Sequence, residues 1–171
     1  MAQGDIVQRM IGAATLNVQT YEEVEADQTA TPQAAAVVAM AAVASAVGSA
    51  GQGMVAIAFA PIWQILGWML WAGVTYVVGA KIFDGTATWG ELLRTLGFAQ
   101  APSILLIFAF LPFFGGLLQT VVGIWVLVAG IIAIRQALDF GTGKAILTAL
   151  IGWLVLMVPI FFLGALVAVF S

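Results

Sequence analysis

Four carboxylates fall within seven residues, Tyr21-Glu22-Glu23-Val24-Glu25-Ala26-Asp27, the densest group of reactive side chains in the chain. Read for function, Glu22, Glu23, Glu25 and Asp27 are a contact for a basic partner or a divalent cation. The run lacks the Asp/Asn and Gly spacing of a calcium loop. Its plainer reading is a helix end whose charges stay in water. Other chemistry is excluded by residue type. There is no histidine and no cysteine, which removes the usual ligands of haem, copper and catalytic zinc, the commonest general base and any disulfide. No serine has a histidine base beside it, and Asp84 and Asp139 both fall outside the apolar runs, so neither an intramembrane serine nor an aspartyl protease can be assembled. No catalytic, cofactor or metal site is expected.

What must position these groups is a membrane domain. The chain has 171 residues, 63% hydrophobic and 8% charged, with a mean hydropathy of +1.13. Soluble domains are nearer 45–50% apolar and about 25% charged. A soluble enzyme, a disordered chain and a nucleic-acid binder are excluded. The net charge of −3, with 5 basic residues, is too acidic to grip a phosphate backbone or anionic headgroups.

Residues 28–80, 95–134 and 145–171 carry no charge. A helix crosses the hydrocarbon in about 20 residues, so the first two stretches hold two crossings each and the last holds one. Breakers stand at Gly48-Ser49-Ala50-Gly51-Gln52-Gly53 and Pro112-Phe113-Phe114-Gly115-Gly116. The expectation is an all-α, five-span bundle with crossings near 32–50, 54–80, 99–114, 117–138 and 144–170, preceded by a segment over 1–31. Arg9, Lys81, Arg94, Arg135 and Lys144 then all lie on the N-terminal side, which predicts a cytoplasmic N-terminus and an external C-terminus in a prokaryotic inner membrane. No cleavable leader is legible, so the first span is expected to act as its own insertion signal.

Residues 5–27 read as one amphipathic helix, with Leu16 a misfit on the polar side. Its acidic face favours packing on the protein's own spans or on a partner over anionic lipid. Thr31-Pro32 reads as a cap and first turn opening the first span. Thr88-Trp89-Gly90-Glu91 reads as a capping box opening a short interfacial helix at 89–96, which Gly97 can end. Glu91/Arg94 and Arg135/Asp139 stand at ion-pair spacing. The small residues of the first span predict a helix at the centre of the bundle, and Gly116, Gly123 and Gly130 predict a second small seam. Pro61, Pro102, Pro112 and Pro159 are sites of kinks. Gln64, Thr75, Gln119 and Thr120 are the polar candidates inside the spans, and their lack of charge weighs against proton-coupled transport. Trp68 and Trp71 lie deeper than an interfacial belt and are candidate contacts for a lipid, a pigment or a partner.

Three stretches carry a family resemblance: residues 21–34, from Tyr21-Glu22-Glu23 to Thr31-Pro32-Gln33-Ala34; Leu96-Gly97-Phe98-Ala99-Gln100-Ala101-Pro102; and residues 137–145, from Ala137-Leu138-Asp139-Phe140 to Lys144-Ala145. With the five-span pattern they resemble the Yip-domain family, named for its Ypt/Rab-interacting members, in its compact prokaryotic form. The resemblance implies a non-catalytic integral membrane protein. The longer cytoplasmic domain and Asp-Leu-x-Gly-Pro-like element of eukaryotic members are absent, so Rab binding and functional residues do not carry over. The expected role is a membrane scaffold or adaptor whose partners are lipid, other integral membrane proteins or a second copy, with no nucleic acid or soluble substrate. The alternatives are an accessory subunit of a larger, energy-transducing membrane complex, suggested by the Trp-rich second span, and a channel or facilitator for a small neutral or lipid-like solute, suggested by the prolines and glycine seams.

Overall fold

The computed structural model describes residues 5–170, with side chains placed through Leu156 and at Val158. Every regular element among them is helical: α1 (Ile6–Ala14), α2 (Val18–Ala26), α3 (Thr31–Gly48), α4 (Met54–Thr75), α5 (Trp89–Phe98), α6 (Gly115–Ala137) and α7 (Thr142–Phe170). Four helical segments among the described residues are long and apolar enough to cross a membrane: Gln28–Gly48, Met54–Ile82, Trp89–Phe108 and Gly115–Ala137. Every charged side chain lies before α3, between α4 and α5 or within α5, or at the α6–α7 junction. The charges therefore mark one end of the bundle, and the turns after α3 and before α6 mark the other.

The single helix expected over 5–27 is two helices folded against each other. Leu16 takes a left-handed backbone (φ 63°), and Asn17 caps α2 by accepting the Gln19 N–H at 2.9 Å. Gly12 permits the close return, because a Cβ there would collide with the Thr20 side chain. The misfit of Leu16 on the wheel was the trace of this break. The opening of α3 also differs from expectation. Asp27, not Thr31, is the capping side chain: it accepts from Thr29 N at 2.9 Å and opens a 3₁₀ turn, Gln28–Ala30, that runs into α3. Thr31 is already helical and donates its hydroxyl to Gln28 O.

The capping box is present: Thr88 Oγ1 accepts from Glu91 N, and Glu91 Oε2 accepts from Thr88 N at 2.8 Å. The helix it opens is not a separate interfacial one. It passes through Ala99 and Gln100, both with helical backbone, into a 3₁₀ segment, Ala101–Phe108. Gly97 does not end it. A Cβ there would lie 2.8 Å from Ala34 Cβ, so Gly97 brings α5 against α3 instead. At the far end Gly48 lies against the Leu106 carbonyl and Ala109, so the two rods run side by side and in the same direction. The 3₁₀ rise of about 2.0 Å per residue lets this short rod keep pace with α3. It is also the more enclosed of the two. In its apolar stretch 61% of residues are buried, against 39% for 28–48, so the central position expected for α3 belongs to the 89–108 rod.

Helix α4 contains Pro61 and widens into a π-helical turn, Tyr76–Ile82, where Lys81 Nζ lies 5.3 Å from the Tyr76 ring centroid. The expected glycine seam on α6 divides by role. Gly130 receives the Trp71 ring, whereas nothing stands within 4 Å of a Cβ built at Gly116 or Gly123. Gly152 of α7 closes on the other side of Trp71, where an added Cβ would lie 2.7 Å from Cδ1. Trp71 is thus a wedge between α6 and α7, 5% exposed, and what it contributes in lipid is close packing rather than removal from water. The side chain of Pro159, singled out above as a kink, lies outside the described side chains.

Candidate functional site

Gln64 stands ten residues into α4, about 15 Å from its start, half the thickness of a hydrocarbon core. A bare amide at that depth costs about 2–7 kcal/mol, so it must find partners. Gln64 Nε2 donates to Gln100 Oε1 at 3.0 Å. Ser45 Oγ donates to Gln64 Oε1 and Ser103 Oγ to Gln100 Oε1, each at 3.4 Å. Three rods, α3, α4 and the 89–108 rod, are tied by this chain of neutral groups. Gln100 is placed by the α-to-3₁₀ junction ahead of Pro102, which has no N–H to donate. Gln100 and Ser103 were not among the expected polar candidates. The signal for Gln100 was an amide two residues before a proline at the head of an apolar run.

A cavity of about 260 Å³ opens beside this chain, lined by Gln64, Gln100 and Ser103 together with Trp63, Trp68 and Trp153. A second cavity of about 260 Å³ lies between Ser45, Ser49, Gln52 and Gln119, towards the uncharged end. Leu106 and Gln119 line both. Gln119 makes no hydrogen bond among the described residues, whereas Thr120 turns its hydroxyl back to Gly116 O at 3.0 Å. The two tryptophans singled out above differ. Trp68 donates Nε1–H to Leu93 O at 3.1 Å and lines the cavity. Trp71 Nε1 is buried without a hydrogen-bond partner, as are Thr75 Oγ1 and Thr148 Oγ1.

The acidic segment is held by two arginines. Arg9, 4% exposed, donates to Glu23 Oε1 at 2.7 and 3.0 Å, to Asp27 Oδ2 at 2.7 Å and to Gln33 Oε1 at 2.9 Å. Arg94 does not pair with Glu91 as its spacing suggested. It donates to the carbonyls of Val24 and Glu25, capping the open C-terminal end of α2 with positive charge. Asp139 likewise accepts from Thr86 Oγ1 at 2.8 Å rather than pairing with Arg135. Glu22 accepts from Gln136 Nε2 at 2.8 Å. Hydrogen bonds from Thr29 and Arg9 hold the Asp27 carboxyl down at about 2. Burial, reinforced by the charges of Glu91 and Asp139, pushes Glu25 up to about 7. Among the described residues no group of three or more His, Cys, Asp or Glu side chains converges as a metal site.

All of these features but the Arg9 side chain sit within a region that a family model, the Yip1 domain, matches over residues 18–164. The chain belongs to the Yip1 domain family. No curated protein and no solved structure matches it. In this Yip1-domain protein the matched region starts at the first residue of α2, so the acidic segment, Arg94 and the amide chain all lie inside it. Helix α1 and its clamping Arg9 lie outside it.

Proposed function

We propose that this Yip1-domain protein is a non-catalytic scaffold or adaptor that works through helix–helix contacts in the membrane and through the acidic face at its charged end. The observation that carries the reading is α4. Only 6% of the apolar stretch of Met54–Ile82 is buried within the chain, while Phe59 and Trp63 stack on it with ring centroids 6.3 Å apart and Leu66, Met69 and Leu70 stand exposed. So open a face on a membrane helix leaves room for a partner helix to cover it, and Met packs adaptably in such contacts. At the charged end, the acidic face of Glu22, Glu23, Glu25 and Asp27 is the contact for a basic segment.

In this reading α7 is a fifth span. Its 29 residues extend about 44 Å, and it carries no charge after Lys144. The charged end is cytoplasmic, by the excess of Lys and Arg there. A cysteine replacing Gly51 is expected to react with an impermeant maleimide from outside the cell; reaction from the cytoplasm alone overturns the orientation. Photo-crosslinkers at Leu66 and Met69 in native membranes are expected to give a discrete protein adduct. Lipid-sized adducts alone at both positions overturn the scaffold reading.

A further inference from the structure

A cavity at mid-membrane depth lined by both indoles and neutral amides asks for a particular kind of occupant. Its polar wall is neutral throughout: Gln64, Gln100, Ser103 and Gln119. Amides and hydroxyls both donate and accept, so they match hydroxyl and carbonyl oxygens together. No ionisable side chain lines this cavity or the one beside it. A phosphate seated there would lose its water with no cation to replace it. The tryptophans and leucines of the same lining suit hydrocarbon.

The cavity also has an entrance of the right kind. Trp153, 43% exposed, and Gly123, which has nothing within 4 Å of a Cβ built on it, stand at the rim on α7 and α6. A ligand can therefore enter sideways from the bilayer. Gln119, exposed and without a hydrogen bond among the described residues, stands where the two cavities meet. An amide left bare in hydrocarbon is costly, and a ligand oxygen would satisfy it. The volume of about 260 Å³ fits the head region of one lipid and not its tails, which would run out past Trp153 and Gly123.

We propose that this cavity binds one uncharged lipid, its hydroxyl and ester oxygens seated on Gln64, Gln100 and Gln119 and its chains leaving between α6 and α7. The site borders the exposed α4 face at Trp63, but lipid binding and protein contact are read by different measurements, so it stands or falls independently of the scaffold role.

Tryptophan fluorescence reads the site directly, because Trp63, Trp68, Trp71 and Trp153 line it while Trp89 and Trp125 do not. The full chain is placed in phosphatidylcholine nanodiscs, and brominated diacylglycerol is added in steps. Saturable quenching at a few mole per cent is expected, with brominated phosphatidylglycerol giving only the gradual quenching of bulk contact. Gly123→Leu, which fills open space, and Gln119→Leu, which removes a side chain with no hydrogen bond, are expected to abolish the saturable component while leaving the melting temperature in place. Quenching that rises in proportion to mole fraction for both lipids, unchanged by both substitutions, overturns the site. Saturable quenching by phosphatidylglycerol and not by diacylglycerol overturns the assignment to an uncharged lipid.

Discussion

Trp125 of α6 donates its indole N–H to the backbone carbonyl of Ala14 at 2.7 Å, across 111 residues of sequence. Ala14 ends α1, and its carbonyl is one of the last that α1 itself cannot satisfy. Eleven residues further along α6, Gln136 reaches Glu22. These two bonds, about 16 Å apart on α6, show that the α1–α2 hairpin runs down the side of the bundle rather than lying across its end. Its turn at Leu16 is the deep tip, and the clamp at Arg9 is the shallow base. Replacing Trp125 by Phe keeps the ring and removes the donor. The expected cost is about 1 kcal/mol, read as a lower melting temperature and faster proteolysis within residues 5–27.

The Arg9 clamp fixes the base of that hairpin. One guanidinium serves Glu23, Asp27 and Gln33 at once, a fork that a lysine ammonium cannot reproduce. Arg9→Ala is expected to cost about 1–3 kcal/mol, the value of a charged hydrogen-bond group reduced for the half-exposed Glu23, and Arg9→Lys is expected to recover only part of it. Protease protection of the hairpin, compared across the three proteins, checks the order.

The two perturbed carboxylates pull stability in opposite directions with pH. Asp27 is depressed, so its contribution is full above about 3.8 and is lost as pH falls towards 2. Glu25 is raised, so its contribution is full below about 4.5 and is lost as pH rises through about 7. Glu25→Gln is expected to flatten the decline in melting temperature between pH 5 and pH 8 and to raise stability at pH 8. An unchanged slope counts against the raised pKa.

Trp71 sits between two glycines on different helices, which makes the three positions one unit. Gly130→Ala is expected to destabilise by about 1–3 kcal/mol through overpacking. In a Trp71→Leu background the same change is expected to cost much less, a coupling that a double-mutant cycle of thermal melts measures.

Local patterns wrote much of this molecule. The capping box at Thr88–Glu91 needs only two side chains three residues apart, so it was legible. So were the charge-free runs and the glycine and proline breaks between them, because lipid demands long apolar helices whatever the fold. The candidate site was legible in pieces. Gln64, Gln119, Trp68 and Trp71 stood out as polar or aromatic residues at unusual depth, but nothing in their spacing joined them to Gln100 or Ser103, which come from another rod.

What the sequence determined alone is the membrane character, the helical class, the uneven charge of the two ends and the family resemblance, because each follows from composition or from neighbours a few residues apart. What the tertiary structure decided is everything that depends on distant partners: that Leu16 turns a helix back on itself, that Arg94 caps α2 rather than pairing with Glu91, that Gly97 is an approach point rather than a stop, and that Trp71 is wedged between Gly130 and Gly152 while Trp68 is bonded to Leu93. The physical reason is the same in each case. A helical side chain has several local partners within reach, and only the packing of remote helices removes the alternatives.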